Sequence, residues 1–182
     1  MKLYSLFIIC IFSLNIYADN YSEFSKHLKK QEYVKACISG KNIFSNNERD
    51  EKTLSLIGQV CLKADYIDTA ATLQSRLRGT KEARVNAVIF SSIVLQKRLI
   101  YQFMYDNIDI SSLALPISEH PLSHTFIAIR DKKFKLLRSS PKMIEFDVYQ
   151  EHYLVYIDKV DRGRVVIEIT DVNNKKTVHR YL

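Results

Sequence analysis

Residues 142–170 read KMIEFDVYQEHYLVYIDKVDRGRVVIEIT. Ile144, Phe146 and Val148 alternate with Glu145 and Asp147, and Val165, Ile167 and Ile169 alternate with Val166 and Glu168. Successive side chains of a strand point to opposite faces, so a period of two predicts half-buried β-strands. His152–Val160 is a further strand, and Asp161-Arg162-Gly163 is the turn that follows it. The same reading extends outward on both sides. Thr125, Ile127 and Ile129 alternate with Phe126, Ala128 and Arg130, and strands are also predicted over Phe134–Leu137 and Thr177–Leu182. Turn signals stand at Arg130-Asp131-Lys132, Ser139-Ser140-Pro141 and Asp171-Val172-Asn173-Asn174. Six short strands at this spacing predict an antiparallel meander over 121–182, closed as a small barrel or folded against helices.

Upstream the period changes. From Asn20 to about Ile110 apolar residues recur at three and four, which is a helical signature. Tyr21, Phe24 and Leu28 mark a first helix, and Tyr33, Val34, Cys37, Ile38, Ile43 and Phe44 a second. Ser45-Asn46-Asn47 breaks it, and Asp50 is placed to cap a third helix through Leu54, Ile57, Gly58, Cys61 and Leu62. Ala64-Asp65 separates that helix from Tyr66, Ala70, Leu73 and Leu77. Gly79-Thr80 is a stop followed by a cap, and the fifth helix runs through Val85, Val88, Ile89, Ile93 and Leu95 towards Tyr101. The expected organisation is α+β: a helical half over 19–108, a linker over 109–120 that contains Pro116, and the β half over 121–182.

Gln31-Glu32-Tyr33-Val34-Lys35-Ala36 is similar to Asp65-Tyr66-Ile67-Asp68-Thr69-Ala70, 33–34 residues later. An acidic residue and Tyr, then Ala, with a small-residue step at Leu56-Ile57-Gly58, resembles the tetratricopeptide repeat over residues 20–105. The Pro that usually ends such a repeat is absent. The resemblance implies stacked helical hairpins whose groove binds extended or helical peptides.

Residues 1–18, MKLYSLFIICIFSLNIYA, have the layout of a secretory signal peptide: Lys2 before an apolar run from Leu6 to Leu14, and Ala18 before the expected cut. The run is too short for a membrane span. Cys10 lies inside it, and bulky Ile9 argues against lipidation. Cleavage leaves two cysteines, Cys37 and Cys61, and an even number in an exported chain predicts a disulfide between them. In a stacked array they fall on neighbouring antiparallel helices, where a bridge would staple adjacent hairpins.

The chain has 182 residues, 27 Lys+Arg against 20 Asp+Glu, and a net charge of +7. Removal of Lys2 with the signal lowers that to +6. With 47 % apolar residues wholesale disorder is excluded, and with four glycines so are Gly-rich phosphate loops. Arg130, Lys132, Lys133, Lys135, Arg138 and Lys142 fall within thirteen positions and form a candidate site for an anionic partner. Export, and the presence of only Phe134 among those bases, argue against nucleic acid. Lys on an exposed strand edge also serves to block edge-to-edge pairing.

No Gly-x-Ser-x-Gly, Ser-x-x-Lys or His-Glu-x-x-His pattern occurs, and paired cysteines supply no thiolate. His120 and His124 have the i, i+4 spacing of helical metal ligands, but the expected strand there separates their rings. His152 and His179 fall on strands that a folded sheet would bring near. Glu145 and Asp147 read as a solvated strand face. No catalytic, metal or cofactor residue is assigned. The expected function is that of an exported, periplasmic or extracellular, non-enzymatic interaction or scaffold module of the cell envelope, with an envelope protein or peptide as partner. The alternative is a binder of anionic lipid or glycan through the basic hairpin. A hydrolase would require a pocket that gathers histidines beside a carboxylate.

Overall fold

The computed structural model describes residues 19–46, 48–158, 160 and 163–181. The expected signal peptide over 1–18, Asn47 in the break before α3, and Asp161-Arg162 in an expected turn lie outside them. The fold is α+β: among the described residues, six helices are followed by a five-stranded antiparallel sheet. The chain forms two compact units, one ending at Ala87 and the other beginning at Val88.

The first unit contains α1 over 19–29, α2 (Tyr33–Ser45), α3 (Glu51–Lys63), α4 (Ile67–Gln74) and the start of α5 (Lys81–Tyr101). Asp50 caps α3, its Oδ2 accepting from the Thr53 backbone N–H at 2.9 Å and the Thr53 hydroxyl at 2.7 Å. Thr80 caps α5 by accepting from the Ala83 N–H at 3.0 Å. The buried stripe of α3 includes Leu54, Ile57, Gly58, Cys61 and Leu62, the residues its periodicity marks. On α2 the stripe is rotated. Ala36, Cys37, Gly40 and Ile43 are buried, while Val34 and Ile38, expected in the core, are each 49 % exposed.

Gly40 explains the rotation. A Cβ there would sit 2.8 Å from Ile57 Cγ2 and 3.3 Å from Phe24 Cε2, so glycine lets α1 and α3 close on α2. Beside it, Cys37 on α2 is disulfide-bonded to Cys61 on α3, with S–S 2.05 Å and Cα atoms 4.8 Å apart. Both sulfurs lie in fully buried residues.

Two turns of this unit are alike. After α1, Gln31 adopts φ +57°, and the Glu32 N–H returns to His27 O. After α3, Asp65 adopts φ +65°, and the Tyr66 N–H returns to Cys61 O. This is a left-handed helix stop that satisfies otherwise orphaned carbonyls. The same stop closes α6 at Lys132, φ +57°, where Lys133 N–H bonds Ala128 O. The same device serves both units.

The second unit continues α5 from Val88, ends it in a π-helical turn (Gln102–Asp106), crosses an irregular segment over 107–119, and enters α6 (Pro121–Arg130). The sheet follows: β1 (Lys135–Ser139), β2 (Lys142–Val148), β3 (Glu151–Asp158), β4 (Arg164–Thr170) and β5 (Lys176–Tyr181), in the order of the chain. The register places Ile144, Val155 and Ile167 in one buried row and Phe146, Tyr153 and Ile169 in the next. The opposite face carries ion pairs, including Lys135–Glu145 at 2.8 Å and Lys176–Glu168 at 2.6 Å. Gln96 is buried in this unit, donating to Pro116 O at 2.8 Å and accepting from Ser123 Oγ at 2.8 Å. Among the described residues no helix is long and apolar enough to cross a membrane.

One expected strand is a helix. Residues 121–130 form α6, not an alternating strand, and the sheet has five strands rather than six. The buried positions are 122, 123, 125, 126, 128 and 129, a helical stripe. Over so few residues, alternation and an i, i+3/i+4 stripe overlap. The deciding signal is at the start. Pro121 occupies the first turn, where its fixed φ and missing N–H suit a helix, and His120 caps it. The meander is also open rather than a barrel, since β1 and β5 are edges and do not pair with each other.

Candidate functional site

The six basic residues singled out from the sequence are divided among α6 (Arg130), the turn after it (Lys132, Lys133), β1 (Lys135, Arg138) and β2 (Lys142). Arg130 ends α6 and pairs with Asp131 at 2.7 Å, which pushes its pKa up and that of Asp131 down. Lys133 lies 3.8 Å from the same carboxylate. Lys135, on β1, bonds Glu145 across the hairpin, and that bond raises its pKa. Arg138 donates to Pro141 O at 2.9 Å. Lys142 turns away from the others. Its ammonium donates to Phe103 O at 2.9 Å, bonds Asn107 Oδ1, and lies over the Phe103 ring, and burial lowers its pKa. Exposed pairs are worth only ~0–1 kcal/mol, so Lys133 and Lys135 keep most of their attraction for an anion. Lys142 instead anchors β2 to the π turn.

The histidines also divide. His120 and His124 do lie one turn apart on helical backbone, contrary to the expectation from a strand. His120 Nδ1 accepts from the Leu122 N–H at 3.2 Å, which makes it the cap of α6. His152 and His179 do not meet. His152 pairs with Thr170 and His179 with Ile167, positions of β4 an odd number of residues apart, which point to opposite faces. His152 bonds Asp147 at 2.9 Å and lies 3.8 Å from Glu145 on the solvated face. No group of three His, Cys, Asp or Glu able to hold a metal occurs among the described residues.

His124 enters a cleft of about 650 Å³ in the second unit. Its Nδ1 is 3.0 Å from the Tyr153 hydroxyl, and its Nε2 is 3.5 Å from Glu119 Oε2. Tyr153 donates to Glu151 Oε2 at 3.3 Å. Burial, and then the Glu151 charge, push the phenol pKa well above its ordinary value, so it stays protonated. The Tyr149 ring meets His124 edge to face at 6.3 Å. The cleft thus gathers His124, Tyr149 and Tyr153 with the carboxylates of Glu119, Glu151 and Asp171.

The first unit has a groove of about 660 Å³ between α3 and the start of α5. Leu56 lies in its lining with 40 % of its surface exposed, beside Ala83. Gln59 Nε2 donates to Asn86 Oδ1 at 3.2 Å across the groove. One end is braced by Glu51, whose carboxylate accepts the backbone N–H groups of Arg78 (2.5 Å), Gly79 (2.6 Å) and Thr80 (2.9 Å). Those bonds, Gly79 first, hold its pKa below the usual 4.5.

No protein-family model, curated protein or solved structure matches this chain.

Sequence reading reached the helices that frame the groove but not Gln59 or Asn86, which are 27 positions apart. It named His124 but not Tyr149 or Tyr153 as its neighbours. A signal for Tyr149 was present: β2 and β3 are joined by only Tyr149-Gln150, a two-residue turn without the Gly, Asn or Asp that such turns favour.

Proposed function

We propose that this chain is an exported, non-enzymatic interaction module of the cell envelope, which holds an extended peptide segment of a partner protein in the groove between α3 and α5. The observation that carries the reading is the combination of half-exposed Leu56 with the Gln59–Asn86 amide pair in one groove. An apolar side chain of the peptide covers Leu56. The amide pair spends one donor and one acceptor on itself, and its other N–H and C=O groups meet the peptide backbone. The volume is within the ~300–1,000 Å³ of ligand clefts. The disulfide favours an oxidising compartment, in keeping with a signal peptide over 1–18. The sequence similarity 33–34 residues apart in the helical unit favours a repeat-like origin for the groove.

Peptide display against the oxidised protein tests the reading. Selected peptides share an apolar residue, and their affinity falls at least about tenfold in Leu56→Glu and severalfold in Asn86→Ala. Absence of any binder, or binders indifferent to both changes, refutes the groove. Export is tested separately by the mass of the protein recovered outside the cytoplasm: a chain beginning at Asp19 supports it, and an intact Met1 opposes it.

A further inference from the structure

We propose that an arginine-lined cleft of the first unit binds a phosphate group, free or carried as a monoester. The cleft, of about 460 Å³, is lined by Arg49, Leu54, Ser75, Arg76 and Arg78. Arg49 comes from the break between α2 and α3, and Arg76 and Arg78 from the connection between α4 and α5. Three guanidinium groups therefore border one concavity that has no carboxylate in its lining. Its lining shares no residue with the groove between α3 and α5, so the two sites stand or fall separately.

The acids that flank Arg49 in sequence do not neutralise this charge, because each is spent on backbone. Glu48 Oε1 accepts the N–H groups of Arg49 at 2.7 Å and Asp50 at 2.6 Å. Asp50 caps α3 through the Thr53 N–H. Glu51 accepts the N–H groups of Arg78, Gly79 and Thr80. Among the described residues none of the three arginines forms an ion pair, whereas Arg130, Lys135 and Lys176 of the other unit each do.

Two of the guanidinium groups are also held in place. That of Arg76 lies over the Phe44 ring, 4.5 Å from its centroid, a contact that restrains the side chain without using any of its five N–H donors. Arg78 Nε donates to Ser75 O at 2.6 Å, which uses one of five. Arg84 Nη1 donates to Arg78 O at 2.9 Å and steadies the backbone that carries it. Restrained cations lose less freedom when a ligand arrives. Planar guanidinium forks match phosphate oxygens two at a time, and three forks offer more donors and charge than one carboxylate ligand can use. One effect opposes the inference: the C-terminus of α4 carries a partial negative charge of about half a unit. Three full positive charges outweigh it.

The test titrates the purified, oxidised protein with inorganic phosphate, with glycerol 3-phosphate, and with chloride at matched ionic strength. Backbone amide and arginine Nε–H NMR shifts report the location. Both phosphates move the resonances of Arg49, Arg76 and Arg78 saturably at millimolar concentration, and chloride does not. Arg49→Gln and Arg76→Lys each weaken binding about tenfold, and neither unfolds the protein, since both residues are exposed. Arg76→Lys keeps the charge, so its loss of affinity separates fork recognition from simple attraction. Lys133→Ala, in the other unit, leaves phosphate binding unchanged. Phosphatidylcholine vesicles with and without phosphatidic acid identify the source. Sedimentation with phosphatidic acid that Arg76→Lys abolishes assigns the site to a lipid headgroup, and glycerol 3-phosphate binding without sedimentation assigns it to a soluble phosphate. No saturable shift, an equal response to chloride, or binding unchanged in both arginine variants overturns the proposal.

Discussion

Removal of the Cys37–Cys61 bridge is the sharpest perturbation of the first unit. The bond joins residues 24 positions apart. In the chain-entropy account, opening a loop of that length returns about 3.5 kcal/mol of freedom to the unfolded chain. The double variant Cys37→Ala/Cys61→Ala also strips two sulfurs from fully buried positions, so 3.5 kcal/mol is the smaller bound. For a unit of this size the urea dependence is about 1 kcal/mol per molar, so the unfolding midpoint falls by at least about 3.5 M. Urea titration with hydrogen exchange resolved by segment is the assay. Amides of α2 and α3 lose protection, and those of β2–β4 in the other unit keep theirs. Reducing the unmodified protein with dithiothreitol keeps both sulfurs and isolates the loop effect from the packing effect. A loss under about 1 kcal/mol in both experiments would mean that the unfolded state is already compact around α2 and α3, and would refute the reasoning.

Gly40→Ala inserts a methyl 2.8 Å from Ile57 Cγ2. Overpacking of ~1–3 kcal/mol exceeds the gain of ~1 kcal/mol in helix propensity, so chemical denaturation records a net loss, and a more stable variant would contradict the close packing of α1, α2 and α3. Glu51 has a folded pKa below its ordinary 4.5, so its contribution is complete above that value and disappears as pH falls through the folded one. The stability difference between wild type and Glu51→Gln therefore shrinks to near zero on acidification, and a difference that stays constant from pH 7 to pH 3 would sink the assignment. Ser123→Ala leaves the buried Gln96 carbonyl without its donor, a cost of ~1–3 kcal/mol by thermal unfolding. A neutral result there would show that Gln96 repartners freely.

The parts of the fold that were legible in the sequence are those where one physical signal acts alone. Asp50 before α3 and Thr80 before α5 have the side chains that orphan N–H groups need, and both caps are made. Strands β2 to β4 alternate over seven or eight residues with charge on one side, long enough to exclude a helix. The misreading came where two signals compete. In α6, Thr125, Ile127 and Ile129 imitate alternation, and only Pro121 behind His120 says that the backbone turns into a helix. The rotated stripe of α2 has a different cause. Val34 and Ile38 are as apolar as Ile43, but the absent side chain of Gly40 determines which face α1 and α3 can approach. A hydrophobicity pattern does not register a missing Cβ.

The candidate sites were less legible because each is assembled across separate segments. His124 reaches Tyr153 over 29 positions and Gln59 reaches Asn86 over 27, separations at which a pattern carries no register. One residue, Tyr149, stands out from its neighbours alone. Alternating runs joined by Tyr149-Gln150 demand a left-handed residue at a position where Gly, Asn or Asp would be cheaper. A chain that places tyrosine there accepts a local penalty of order 1–3 kcal/mol out of a total stability of only ~5–15 kcal/mol. Packing does not recover that penalty, because the ring is mostly in solvent. Broken local rules of this kind concentrate where a site is built, and here the rule breaks beside the acidic, aromatic cleft of a basic protein.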